Sequence, residues 1–510
     1  MDSRLPEVPY RPTLPELLRR AVALYGDSDF VVLPDRRLSF AEADELSAVL
    51  AKRLLAHGLG KGSRVGISLP TGIDWVIAWL AVARIGAMSM LLPSTYRAAE
   101  LRRALRIGDV GLLIASRTLL GREYEPLLEE AVPGLATATA KPIWDPQVPF
   151  LRAVWMVEGS ERPWATPVPP PSKGDDTGVS DEMLAAVEGE VSPADALLVI
   201  FTSGSSADPK AVVHTHGAAI RKIQPELGMC LPGSFPGRTF CAMPFFWVGG
   251  PQDLLGALHS GAAVVTQPRF QVEEALDLLE RERCTSVLGW PNLLSEIRAH
   301  PTYPQRRLAD LAVPEFARSS RGDPRNLGMT ETFGPHANLD WFEYKVIDPF
   351  GGEVLPEGAE GEFCVRGFGL MSGFYKKERE EVFDADGWYH TGDRGYIDDG
   401  MIWFTGRYSE MIKSKGANVS PLEVEAVLQS IPGVSSAFVL GIPDPASGQA
   451  VAAAVVPERG ATIDVDRLRD RTNKELSSYK VPSLWLVLDA EEVPLLANGK
   501  IDKRGLAERF

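Results

Sequence analysis

Between about residue 10 and residue 300 the chain alternates helix-period with strand-like segments, and this alternation constrains the fold more than any single motif. "TLPELLRRAVALYG" and "SFAEADELSAVLAKRLLAHGL" look helical, whereas "SRVGISLP" and "AVVTQP" look like strands. Strands separated by helices pair in parallel, with the helices lying over the sheet faces. Ser39 followed by Glu42 predicts a capping box at the start of the second helix. The apolar stretch from Trp75 to Leu92, interrupted by Arg84 and Gly86, reads as a buried helix running into a strand. A membrane span is disfavoured, because a charge near a bilayer centre is costly.

A Pro-rich, acidic stretch at 161–182, "ERPWATPVPPPSKGDDTGVSDE", lacks apolar periodicity and reads as a connection between two such units. From about Trp341 the pattern changes to short strands with Gly and Asp turns, as in a small barrel or antiparallel sheet. After Arg407 a helix-strand pattern begins that is compact enough for a separate C-terminal domain. The expected architecture is α/β: a large N-terminal domain (1–407) of two helix-covered sheets plus a small β-barrel-like subdomain, then a small mobile α+β domain (408–510).

With 510 residues, 45% of them hydrophobic, the chain can bury several cores. Asp and Glu outnumber Lys and Arg by 68 to 53, and the net charge of −15 argues against a polyanionic partner such as nucleic acid. Four scattered cysteines, with no C-x-x-C pair, suggest neither a disulfide framework nor a zinc site and point to a reducing cytoplasm. The first twenty residues hold acidic residues and prolines where a secretory signal has a basic end and an apolar run.

The stretch Leu197 to Gly217, "LLVIFTSGSSADPKAVVHTHG", ends an apolar run in small polar residues and places one cation, Lys210, just beyond. Backbone N–H groups and hydroxyls around Gly204 can converge on phosphate oxygens, with Lys210 as a point charge. A polar strand-to-helix turn with an exposed lysine fits these residues equally well. It is not a Walker A loop, since Pro209 precedes the lysine and Ala211 follows it.

Four further motifs follow in order: "GMTETFGPH" (328–336), "GEFCVRGFGLMSGFY" (361–375), "GWYHTGDRGYIDDGMIWFTGRYSEMIKSKGANVSPLEVE" (387–425) and "PLLANGKIDKR" (494–504). Together with "TSGSSADPKA" they resemble the adenylate-forming superfamily, which includes acyl-CoA synthetases, luciferases and peptide-synthetase adenylation domains. The resemblance implies that a carboxylate reacts with ATP to give an acyl-adenylate and pyrophosphate, usually followed by attack of a thiol. An anion must then approach a polyanion, so catalysis rests on neutralising charge and holding groups in line.

By this resemblance, Thr202, Ser203, Gly204, Ser205, Ser206 and Lys210 hold the β- and γ-phosphates of ATP. Thr330 meets the α-phosphate, and Glu331 helps hold Mg²⁺, a hard cation suited to oxygen ligands. Asp393 accepts both ribose hydroxyls, and Arg407 reaches ribose or phosphate. Lys500 bridges substrate carboxylate, ribose and α-phosphate during adenylation. The small domain is implied to swing about a hinge at Ser409, where most relatives carry Asp or Lys. Rotation would bring Lys415 and Gly416 to the CoA pantetheine tunnel, Gly416 having no side chain to block it.

The acyl pocket is implied to include Phe246, Trp247, Val248, Gly249 and Gly328. Amino-acid-activating relatives carry Asp where this chain has Trp247, and a buried ammonium without a partner is costly. A fatty acid or related carboxylate is therefore expected. The aromatic run Phe245 to Trp247 fits core packing as well as a pocket wall. Ala207 and Ala211 replace the usual glycines of the phosphate loop, Leu327 replaces a tyrosine, and the segments before Leu327 and after His336 are shorter than the family's. The leading reading is an ATP-dependent acyl-CoA ligase. Alternatives are a ligase that loads a separate carrier protein and a catalytically silent nucleotide-binding homologue; homodimers are common among relatives.

Overall fold

The computed structural model describes residues 7–138, 142–202, 209–223, 237–289, 291–308, 327–336, 341–349, 351–407, 411–458, 460–489, 492–494 and 501–510. They fall into two compact units. One comprises Met1–Ser94, Leu105–Phe201 and Ala211–Thr405; the other comprises Gly406–Phe510 with Thr95–Ala104 and Thr202–Lys210.

The first unit has the two predicted sheets. An eight-stranded sheet runs in the order Gly373–Phe374, Lys210–Thr215, Ala196–Thr202, Met88–Leu91, Arg64–Ser68, Leu112–Ala115, Ala153–Met156, Ala165–Pro167. From Ala196–Thr202 to Ala165–Pro167 every pairing is parallel. A five-stranded sheet orders Ser286–Leu288, Arg238–Cys241, Ala263–Thr266, Asp29–Val32 and Arg37–Ser39, parallel except for the last pair. Val31 and Val264 of the smaller sheet share one core cluster with Val65, Leu91 and Leu198 of the larger. The helices Leu14–Tyr25, Phe40–Ala56, Ile73–Arg84 and Gly249–Ser260 contribute to that same cluster.

Local sequence rules explain several of these elements. Ser39 caps the helix Phe40–Ala56: the Glu42 N–H donates to Ser39 Oγ at 3.1 Å, and the Ser39 N–H donates to the Glu42 carboxylate at 2.8 Å. The helix Ile73–Arg84 buries every residue but Asp74 and leads into the strand Met88–Leu91, with Gly86 at φ +66° making the turn. Arg84 is tolerated inside because Nε donates to Glu188 at 2.5 Å and Nη1 to the Asp44 carboxylate at 2.7 Å. Among the described residues no helix is long and apolar enough to cross a membrane.

One expectation is corrected. The stretch 161–182 does not join two units: it contains Trp164, buried, and the edge strand Ala165–Pro167, then leads to the helix Asp181–Glu190 and back to the middle of the same sheet. The surrounding prolines mask a strand whose own proline, Pro167, loses little at a sheet edge by lacking an N–H donor.

The short strands after Trp341 form an antiparallel sheet, Phe342–Ile347, Gly361–Gly367, Tyr389–Asp398 and Met401–Arg407. In the second unit, Val434–Asp444 pairs antiparallel with Gly448–Pro457, which also pairs parallel with Leu484–Val487. The helix Pro421–Gln429 buries Val424, Val427 and Leu428 in the core of this unit. Its hairpin Ile412–Ser414 to Ala417–Val419 turns on Lys415 and Gly416, both at positive φ (+51° and +81°), as a two-residue type I′ turn requires.

Candidate active site

The strand Lys210–Thr215, beyond the predicted phosphate loop, carries the first buried histidine. His214 Nε2 lies 2.7 Å from the Thr330 carbonyl, which only accepts, so Nε2 bears the proton. Burial, with Lys222 nearby, pushes His214 down to about 3, leaving it neutral at physiological pH. His216 is structural as well: its Nδ1 accepts the N–H of Leu14, the first residue of the helix Leu14–Tyr25.

The loop Thr330–Gly334 sits between two tiny strands, Gly328–Met329 and Gly334–Pro335. Thr332 and Phe333 are fully buried, while Thr330 and Glu331 keep partial exposure. Gly334 has φ +95°, and a Cβ there would lie 2.2 Å from the Gln252 amide nitrogen, so no side chain fits. The loop backbone is thus held from behind while its two predicted functional side chains face outward.

Tyr389 Oη donates to Glu331 Oε1 at 3.1 Å. Four residues along the same strand lies Asp393, 1% exposed. Pairing with Gly361–Gly367 is interrupted there, since Glu362 faces Arg394 but Cys364 faces His390. The extra residues form a bulge that includes Thr391, Gly392 and Asp393, a device that re-aims side chains next to sites. Thr391 Oγ1 donates to the Phe363 carbonyl at 2.8 Å and accepts the Asp393 N–H at 3.0 Å; the Gly392 N–H donates to Glu362 at 2.8 Å. The bulge is therefore pinned by its own polar groups.

The structure thus brings Thr330, Glu331 and the Asp393 strand into one bonded assembly. Thr202 ends its strand partly exposed, Lys210 begins the next, and Arg407 ends the strand Met401–Arg407. Ser203, Gly204, Ser205, Ser206, Ser409 and Lys500 lie outside the described residues. Of the predicted acyl-pocket residues, Phe246 belongs to the hydrophobic core beside Phe245, whereas Trp247 and Val248 are half-buried against it. Gly249 is buried, and a Cβ there would lie 2.9 Å from Met243 Cε; Gly328 is exposed. Lys415 and Gly416 are exposed at the hairpin tip. Cys241, Cys284 and Cys364 are free and buried.

Sequence reasoning missed Lys222. It is wholly buried at the end of the helix His216–Lys222, with Nζ donating to the Thr332 carbonyl and lying 5.1 Å from the Phe342 ring centre. Its signal was its spacing: Ala219 and Ile223 place an apolar stripe three residues before it and one after, which turns the lysine inward.

The family model of AMP-binding enzymes matches residues 18–375, and that of the AMP-binding enzyme C-terminal domain matches 423–500. The chain is 28% identical over 550 residues to the acyl-CoA ligase SID4 of Ajellomyces capsulatus, covering 97% of this chain and 91% of the relative. To the mitochondrial medium-chain acyl-CoA ligase of Danio rerio it is 25% identical, covering 98% and 88%. The solved structure of the amide bond synthetase McbA from Marinactinospora thermotolerans superposes with a TM-score of 0.77 at 25% identity, covering 97% and 99%. With its main and C-terminal modules both matched, the protein belongs to the AMP-binding enzymes, the adenylate-forming superfamily, and is of its AMP-forming acid–thiol ligase type.

Proposed function

We propose that the protein is an acyl-CoA ligase that joins a fatty or related non-amino carboxylic acid to ATP, releases pyrophosphate, and passes the acyl group to the CoA thiol. The observation that carries this reading is the Thr330–Gly334 loop, whose backbone is fixed while Thr330 and Glu331 stay accessible beside the bulged Asp393 strand. A fixed donor and carboxylate lower the reorganisation needed when charge moves at phosphorus.

In this reading Thr330 donates to the α-phosphate, Asp393 accepts the ribose hydroxyls, and Thr202 with Lys210 borders the loop around the β- and γ-phosphates. Lys500 delivers the cation for adenylation, the segment after Arg407 pivots at Ser409, and Lys415 and Gly416 border the CoA channel. Glu331 has the hard oxygen donors that Mg²⁺ prefers, and Tyr389 engages one of its two oxygens. Bound there, Mg²⁺ supplies charge neutralisation on the triphosphate. Trp247, in place of an acidic residue, supports an acid without an ammonium group.

A second reading is favoured by the likeness to an amide bond synthetase: the acceptor is an amine and the adenylation half-reaction is the same. The test is acid-dependent exchange of pyrophosphate into ATP over a panel of aliphatic and aryl acids, followed by product analysis with CoA, a carrier protein and simple amines. Exchange with an aliphatic or aryl acid and thioester formation with CoA are expected. No exchange across the panel in folded, ATP-binding protein sinks the reading in favour of a silent homologue; amide as the sole product moves it to the second.

A further inference from the structure

Four consecutive carbonyls of the loop, those of Thr330, Glu331, Thr332 and Phe333, each accept a hydrogen bond from a different part of the first unit. His214 Nε2 meets Thr330 at 2.7 Å, and the Met371 N–H meets Glu331 at 2.7 Å. Lys222 Nζ meets Thr332, and Gln252 Nε2 meets Phe333 at 2.8 Å. The donors come from the strand Lys210–Thr215, the segment after Gly361–Gly367, the helix His216–Lys222 and the helix Gly249–Ser260. Three of the four are side chains, and two of those, His214 and Lys222, are fully enclosed.

Such an arrangement is expensive. A lysine enclosed among Phe342, Gly369 and Thr332 gives up its hydration, and burial drives its basicity well below the ordinary lysine range. His336 lies near it, fully buried and stacked on Tyr344, and adds no carboxylate. Nor does His214, which also feels its charge. A methionine would fill the same space without the desolvation cost. The N–H bonds of Lys222 serve the Thr332 carbonyl in either protonation state, so what the lysine provides is a directed donor.

We infer that Lys222 and His214 are positioning residues: by clamping the carbonyls on either side of Glu331 they hold the Thr330 and Glu331 side chains where ATP and its metal meet them. The inference rests on the proposed function for its kinetic consequences but not for its structural one. The chemistry predicts a turnover effect, because a reacting group misplaced by about 1 Å can cost a hundredfold.

The test compares Lys222→Met, His214→Met and His214→Gln with the parent protein; a glutamine amide can reproduce the Nε2 donor and methionine cannot. Hydrogen–deuterium exchange of the peptides spanning 328–336 and residue 371 is measured first, together with thermal melting. Faster exchange confined to these peptides is expected in both methionine variants, with His214→Gln close to the parent. Pyrophosphate exchange with the best acid is then expected to fall roughly ten- to a hundredfold in kcat, with a higher Mg²⁺ concentration at half-maximal rate, a smaller change in KM for the acid, and recovery in His214→Gln. Unchanged exchange of the loop amides, or folded methionine variants with kcat and Mg²⁺ dependence within twofold of the parent, overturns the clamp. If Lys222→Met does not fold, the His214 pair decides alone: equal behaviour of Met and Gln overturns the inference. A parent protein inactive on every acid refutes the proposed function, while the amide exchange still judges the clamp.

Discussion

Tyr389 Oη donates to Glu331 Oε1 at 3.1 Å and so ties the strand that carries Asp393 to the loop that carries Thr330. The proposed ribose contact, Asp393, and the proposed metal contact, Glu331, are thereby linked through four residues of strand and one hydrogen bond. Replacing Tyr389 by Phe keeps the ring that packs on Phe374 and Phe383 but frees the carboxylate. The expected outcome is a several-fold higher Mg²⁺ requirement in pyrophosphate exchange with little change in melting temperature. Glu331→Gln should cost about a hundredfold in kcat, the scale of losing a preorganised charge contact.

Asp393 is expected to read the ribose. The parent protein should prefer ATP to 2′-deoxy-ATP, and Asp393→Ala should raise KM for ATP by about tenfold or more, as loss of a hydrogen bond to a charged group does. The variant should also lose most of the preference between the two nucleotides. Steady-state kinetics with both nucleotides checks this; a variant that still discriminates fully against the deoxy form removes Asp393 from the role.

Lys500→Ala should lose adenylation by at least about a hundredfold yet still make thioester from supplied acyl-adenylate and CoA. Separate assays of the two half-reactions measure it. Equal loss in both would count against a lysine that serves only the first step.

Arg84 and Glu188 are both nearly sealed from water and bonded at 2.5 Å. Arg84→Met should destabilise the protein by about 3 kcal/mol, because it leaves the Glu188 charge buried without its closest partner. Adding Glu188→Leu should recover most of that loss. Urea unfolding of the single and double variants decides; additive losses would mean that packing, not charge, governs the site.

Buried histidines set an acid limit. Burial holds His214, His216 and His336 at about 3 and His259 at about 4, against about 6.5 in the unfolded chain. Below 6.5 the unfolded state binds protons that the folded state refuses. This contribution to stability is therefore full above pH 6.5 and is lost progressively as pH falls towards 3. Urea midpoints at pH 7, 6 and 5 should fall steeply, and His336→Phe should flatten the slope over pH 5 to 6.

Much of this was legible in the sequence, because periodicity and capping are local properties. The capping box at Ser39 and the buried run from Trp75 were readable from a few neighbouring residues. The edge strand Ala165–Pro167 was hidden by Pro167 and the prolines around it, since only its place at the sheet edge excuses a missing N–H. The motifs named Thr330, Glu331 and Asp393, but not Lys222, Gln252 or Tyr389. Those three act through backbone carbonyls or across strands, at separations from 58 to 110 residues. Their partners depend on tertiary geometry; only Lys222 leaves a local trace, in its apolar neighbours Ala219 and Ile223.

The helix Ile73–Arg84 is buried but for Asp74, and Glu188, the nearer of the two carboxylates that neutralise Arg84, is translated roughly a hundred residues later. During that interval the nascent chain offers Arg84 only one of its two carboxylate partners, Asp44, and the strand Ala196–Thr202, which supplies Leu198 and Ile200 to the cluster around Trp75 and Trp79, is still missing. Burial of this helix is therefore expected to be completed only when the central strand Ala196–Thr202 arrives, which makes roughly the first two hundred residues one unit of co-translational folding.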